Sequence, residues 1–201
     1  MKTLIAIISC DKHAERVDAQ EATWIPRMRA AGYDVEIFNG GQLGVPDDYV
    51  SLPFKTKRVC AWALEHGYQR LLKLDDDAYI RIEKFSAAEH EYAGIRMPAH
   101  DGWPRDYASG GAYWLGEPAM RIVSTNNPAD VMEDRWVGQL MGAFGFQLKE
   151  LPGYVIWSRD AREFSVRKSP VDENSVVITQ LSPTGSNDAA AIMECHRRWG
   201  R

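Results

Sequence analysis

The chain has 201 residues, with 24 Lys and Arg against 28 Asp and Glu and a formal charge of −4. Its hydrophobic content of 45% and charged content of 26% exclude a disordered chain, a collagen-like fibre and a coiled coil. The negative balance leaves no global positive field to hold nucleic acid or an anionic membrane.

Seven Trp, eight Tyr and six Phe lean weakly toward a protein that handles sugars. Cys10, Cys60 and Cys195 are odd in number and form no C-x-x-C, which suits reduced thiols in a cytoplasmic protein. No apolar run approaches the roughly 18 residues of a membrane span. The opening MKTLIAIISC resembles a short signal sequence, but its apolar stretch is too short for an h-region.

Residues 2–9 therefore read as a buried strand. Residues 16–31 have helical spacing and stop at Gly32. Residues 33–38 alternate as a strand, broken by Asn39-Gly40-Gly41, and 42–51 form a loop with Pro46, Asp47 and Asp48. Residues 55–66 read as a helix ending at Gly67. Residues 70–74 form a short strand with Asp75-Asp76-Asp77 at its exit. Alternating strands and helices predict a Rossmann-like, mostly parallel central sheet flanked by helices, an α/β fold in one domain over 1–201. Ligands gather at the carboxyl ends of strands in such sheets, where the three acids lie. Further on, 94–107 is rich in Gly, Pro and charge and reads as a surface loop. A strand is expected at 111–115, and a helix at 117–125 with Pro118 in its first turn. Another helix spans 133–144 and opens on two acids. Short strands and loops fill 146–182, and a last helix covers 188–199.

Three adjacent carboxylates after a strand raise one another's pKa, and a cation is the usual relief. Oxygen-only ligands suit Mg²⁺ or Mn²⁺; a solvated acidic turn is the plain alternative. Phosphatases with D-x-D carry it after the first strand, where this chain has Ser9-Cys10-Asp11. Neither a G-x-x-x-x-G-K-[ST] nor a G-x-G-x-x-G loop occurs.

Lys73-Leu74-Asp75-Asp76-Asp77-Ala78-Tyr79-Ile80 resembles the K-x-D-D-D-x-[FY]-[VI] segment of the β-1,3-galactosyltransferase and fringe-like glycosyltransferases (glycosyltransferase family 31, GT-A fold). In the same order, Arg16 with Thr23-Trp24 resembles that family's R…T-W stretch. Asp48-Tyr49-x-x-Leu52-x-x-Lys55-Thr56 resembles D-x-Y-x-N-L-x-x-K-T. Tyr107-Ala108-Ser109-Gly110-Gly111-Ala112-Tyr113 resembles Y-x-S-G-x-x-Y, and Glu133-Asp134-Arg135-Trp136-Val137-Gly138 resembles E-D-V-x-V-G. The likeness covers about residues 1–145.

The resemblance implies a metal-dependent, inverting hexosyltransferase using Mn²⁺ or Mg²⁺ and a UDP-sugar. It implies a nucleotide-binding half over 1–77 and an acceptor-binding half over 78–201. Asp77 would ligate the metal, and Asp75 would serve metal and nucleotide, with Asp76 in reach of either. Arg16 and Lys55 would hold nucleotide or phosphate, and Lys73 would either join them or only pair with the acids. Gly110 and Gly111 would let the backbone approach the donor sugar. Asp134 would be the general base, taking the acceptor proton, with Glu133, Trp103 and Tyr107 toward the acceptor.

The family's late His is missing: Thr179 stands in its place before Gln180-Leu181-Ser182-Pro183. That leaves Thr179, Gln180 or His196 to complete the metal sphere. The family's anchor and cysteine framework are also absent, as in a short soluble bacterial or viral form. The acceptor would be a glycan or another hydroxyl compound. A hydroxymethylated base in DNA is the minority choice, on the cluster Arg159, Arg162, Arg167, Lys168, Arg197, Arg198 and Arg201. A degenerate nucleotide- or glycan-binding module and a metal-dependent phosphoryl-chemistry enzyme are the alternatives.

Overall fold

The computed structural model describes residues 1–99, 103, 105–157, 171–181 and 188–200. Strand β1 (Thr3–Ile8) leads to helices α1 (Ala14–Glu21) and α2 (Ile25–Ala30), then to β2 (Asp34–Phe38). Helices α3 (Gly40–Leu43) and α4 (Leu52–Glu65) return the chain to β3 (Arg70–Asp75) and the short β4 (Tyr79–Ile80). Strands β5 (Tyr92–Met97) and β6 (Tyr107–Gly116) precede α5 (Glu117–Thr125) and α6 (Glu133–Ala143). Strands β7 (Lys149–Glu150), β8 (Tyr154–Ile156) and β9 (Val177–Thr179) and helix α7 (Asp188–Trp199) follow.

The six-stranded sheet runs β2-β1-β3-β6-β5-β7, and a three-stranded sheet runs β4-β9-β8. The trio β2-β1-β3 is parallel. Strand β6 is antiparallel to β3 and to β5, and β5 is parallel to β7, so the sheet is mixed. β1 reads as continuous apolar sequence because both faces of it are covered. Leu4, Ala6 and Ile8 pack with residues of α4, α5 and α6. Ile5 and Ile7 pack with α1, α2, α7 and the small sheet. Each such buried Leu or Ile side chain stabilises by about 1.5–3 kcal/mol. α1 and α2 thus lie on one face and α4 on the other. The connections diverge between β1 and β3, and a crevice opens at their carboxyl ends.

The expected helix over 16–31 is two helices. α1 ends at Glu21, and Pro26 lies in the first turn of α2, where its missing N–H costs nothing. Asn39 breaks β2 as expected but then caps α3, its side chain accepting from the Gln42 N–H. The expected surface loop at 94–107 contains most of β5. Gly94 weakens the strand signal there, yet a Cβ at that position would lie 2.9 Å from the Ala112 carbonyl oxygen of β6. Among the described residues no helix is long and apolar enough to cross a membrane.

Gly111 lies on β6 against β9, and a Cβ there would sit 2.7 Å from Thr179 Oγ1. A Cβ on Gly110 would meet nothing closer than 3.4 Å. Gly111→Ala is therefore expected to cost about 1–3 kcal/mol and Gly110→Ala under about 1 kcal/mol. Urea denaturation of both variants checks this; equal losses would contradict it.

Candidate active site

The crevice is a cleft of about 500 Å³. The exit of β1 lines it with Ser9, Cys10, Lys12, His13 and Arg16, and the exit of β3 with Asp75, Asp76 and Asp77. Asp47, Asp48, Tyr49, Leu52 and Lys55 close the third side. Basic and acidic side chains therefore line together a space large enough for a nucleotide-sized ligand.

Helix α1 and the Trp24 that follows it hold the acid turn in place. Arg16, Gln20 and Trp24 recur every four residues and grip it in sequence. Arg16 Nη1 donates to Asp76 Oδ1 at 2.7 Å. Gln20 Nε2 and Trp24 Nε1 both donate to the Ala78 carbonyl, at 2.9 and 3.2 Å. Asp76 Oδ2 accepts from Ser9 Oγ at 2.8 Å and contacts His13 Nδ1 at 2.9 Å. A carboxylate only accepts, so His13 Nδ1 carries the proton. The Arg16 nitrogen 3.2 Å from Nδ1 is then a neighbouring donor, not a bonding partner. Asp76 is thus turned toward the basic side chains. Arg16 also pairs with Asp188 of α7.

Lys55 is buried, donates to the Ser9 carbonyl at 3.0 Å and pairs with Asp47, which also accepts from the Gly40 N–H. This tie holds the 44–51 loop against the end of β1. Lys73, 0% exposed, pairs with Asp75, donates to the Gly110 carbonyl at 2.5 Å and lies 3.7 Å from Glu133 Oε2. Burial alone would lower its pKa; Asp75 and Glu133 outweigh that and raise it.

Asp77 differs from its two neighbours. Its Oδ1 is buried and has no hydrogen-bond partner. Burial first, then the charges of Asp75, Asp76 and Asp188, push its pKa up to about 7 against the pull of Arg16. An acceptor-only oxygen in a surplus of negative charge fits a hard divalent cation. Among the described residues no three metal-ligating side chains converge. That suits a cation held by one or two carboxylates and completed by phosphate and water. Thr179 is fully buried behind Gly111, Gln180 follows β9 with a φ of 53°, and His196 Nδ1 contacts Tyr79 OH at 3.1 Å.

Asp134 lies on the first turn of α6, outside the cleft wall. Its Oδ2 accepts from the Gly110 N–H at 3.0 Å and its Oδ1 from the Arg135 N–H at 2.9 Å. Burial raises its pKa, opposed by the Gly110 N–H and by Lys73. Glu133, 3% exposed, is engaged by Thr56, Tyr113 and Lys73 behind it. Trp103 stacks edge-on to Tyr107, and the Arg135 guanidinium lies 5.1 Å from the Trp103 ring centre. Tyr49 lines the cleft and donates to Met132 Sδ at 3.1 Å, so it stands at the rim between the cleft and α6.

All the expected donor-side residues except the two glycines thus line the cleft, and Gly110 joins it to Asp134 through Lys73. Sequence reasoning passed over Ser9, His13, Gln20 and Asp188. The first two follow a strand at its carboxyl end, as the acid turn does, and Gln20 lies on the Arg16 stripe of α1. Asp188 has no local signal. Of the expected basic cluster, Arg197 and Arg198 pair with Glu194, and Arg159, Arg162, Arg167, Lys168 and Arg201 lie outside the described residues.

No protein-family model and no curated protein matches the sequence. Among solved structures the chain is similar to a glycosyltransferase involved in the glycosylation of the major capsid of PBCV-1. The TM-score is 0.62 at 12% identity, over 98% of this chain and 100% of that one. It is also similar to a Drosophila β-1,4-galactosyltransferase 7 variant in complex with manganese, UDP-Gal and xylobiose. There the TM-score is 0.49 at 8% identity, over 88% of this chain and 70% of that one. The fold is that of the GT-A glycosyltransferases.

The Asp77 carboxyl holds its proton more tightly in the folded chain than in the unfolded one. In the metal-free protein stability is therefore lost as pH rises from about 4 to about 7. Asp77→Asn is expected to stabilise the metal-free protein at pH 8 by about 1–3 kcal/mol and to change little at pH 4. Denaturation in EDTA at both pH values measures it; a loss at pH 8 would contradict the assignment.

Proposed function

We propose that this chain is a GT-A glycosyltransferase that moves a hexose from a UDP-sugar to a glycan hydroxyl with inversion. The observation that carries the reading is the buried Asp77 Oδ1, without a hydrogen-bond partner, in a cleft lined by both acidic and basic side chains. The fold shared with a viral glycosyltransferase supports it. So do the ordered motifs that resemble the β-1,3-galactosyltransferase and fringe-like family.

Asp77, with Asp75, would hold Mn²⁺ or Mg²⁺. The bound cation supplies Lewis-acid stabilisation of the departing diphosphate. Lys12, Arg16 and Lys55 on the cleft wall offer positive charge to the phosphates. Asp76 keeps the basic side chains in place through its contacts with Arg16, His13 and Ser9. Two backbone N–H groups aim the Asp134 carboxylate. Its raised pKa improves it as a proton acceptor near neutral pH. The acceptor oxygen bonds to C1 of the hexose as the bond from C1 to the diphosphate oxygen breaks. The hydroxyl proton passes to Asp134, and UDP leaves with the bonding pair. Activity therefore falls as pH drops through the raised pKa of Asp134.

Thermal unfolding with UDP and Mn²⁺, against EDTA, tests the donor. At about 100 times Kd the shift expected is roughly 5–10 °C. It should vanish in Asp77→Asn. In Asp134→Asn, UDP binding should persist while transfer drops by about 10²-fold or more. A shift without metal sinks the Asp77 role, and surviving transfer sinks the base.

A further inference from the structure

Asp188 opens α7 behind the cleft-lining Arg16 and is 1% exposed. A carboxylate so deep persists only where something answers its charge. Here Arg16 Nη2 lies 2.5 Å from Asp188 Oδ2, while Arg16 Nη1 lies 2.7 Å from Asp76 Oδ1. The N-terminal dipole of α7 favours the same charge. The guanidinium is therefore a fork with one arm on the acid turn of β3 and the other on α7. It forms part of the cleft wall.

The rest of α7 is anchored independently of this pair. Ala191, Ile192 and Cys195 lie in the core with Trp24 and Tyr79. The Gly200 carbonyl, just beyond the helix, accepts from Arg27 Nη1 at 3.0 Å. The helix position is thus set along its length, and its first residue delivers a fixed carboxylate to Arg16.

We propose that Asp188 is a positioning residue of the donor site. It holds Arg16 where the diphosphate is received and so couples docking of α7 to donor binding; this rests on the donor reading above. A guanidinium already held on both arms has less orientation to lose when an anion arrives. By linkage, whatever affinity the donor gains from a docked α7 is returned to α7 when the donor binds.

The test uses the whole chain with UDP and Mn²⁺. In the wild type, UDP should slow hydrogen exchange of the α7 amides. Asp188→Asn keeps the shape and removes the charge. It should weaken UDP binding about tenfold and abolish that added protection. Asp188→Glu, which keeps the charge, should recover most of the affinity.

Unchanged or tighter UDP binding in Asp188→Asn overturns the proposal, because Asp188 would then only neutralise Arg16. A lower Tm with wild-type affinity also overturns it, leaving a purely structural role. Absence of UDP-induced protection in wild-type α7 does the same without any variant. If the wild type binds no UDP with Mn²⁺, the donor reading itself fails and this proposal with it. That case is told apart because it appears before any substitution.

Discussion

A fully buried ammonium in the middle of a sheet must find anions, and the site is arranged around that demand. Lys73 sits on β3, and burial opposes its charge. The groups that answer it are Asp75 on its own strand, the Gly110 carbonyl on β6 and Glu133 on α6. Those three elements, joined by the β3–β6 ladder and the apolar face of α6, also meet at Lys73. In the same stroke the acid turn is joined to the helix that carries Asp134. Replacing Lys73 with an apolar residue would leave the buried Glu133 without its cation.

The negative charge around the turn is shared unevenly. Asp75 has Lys73, and Asp76 has Arg16, Ser9 and His13. Asp188 shares Arg16 through Oδ2 while its Oδ1 stays without a hydrogen-bond partner, and Asp77 Oδ1 is left without one as well. An arrangement optimised for stability alone would have matched that oxygen with an N–H or a lysine. An imbalance at the carboxyl edge of an α/β sheet fits the cation proposed there. The rim residue Tyr49 separates this charged cleft from α6, so the two carboxylate centres have distinct surroundings despite their common link through Lys73.

Much of this was legible in the residues. The apolar run of β1, the bounds of α5 and α7 and the acid turn at a strand exit all follow from period, caps and position. Other features were hidden for physical reasons. β5 reads as a loop because Gly94, needed for close approach to β6, weakens its strand pattern. The long helix is split by Pro26, a visible signal that spacing alone outvoted. Thr23-Trp24 resembles a motif, yet only the fold shows that Trp24 reaches the Ala78 carbonyl beside the acids. Gly111 was expected near a donor sugar and lies packed against Thr179. Asp188 pairs with a residue near the other end of the chain, a separation that no local pattern encodes.

The separation of Arg16 from its two carboxylates has a consequence for how the chain is made. Synthesis delivers Arg16 first, Asp76 60 residues later and Asp188 last, 172 residues after Arg16. Contacts that span most of a chain form late, after the loops between them have closed. The nascent protein can therefore build the parallel trio β2-β1-β3 while Arg16 holds only Asp76. The guanidinium gains its second arm when α7 docks. A ribosome-bound fragment lacking α7 therefore keeps the grip on the acid turn but holds the Arg16 guanidinium by one arm only.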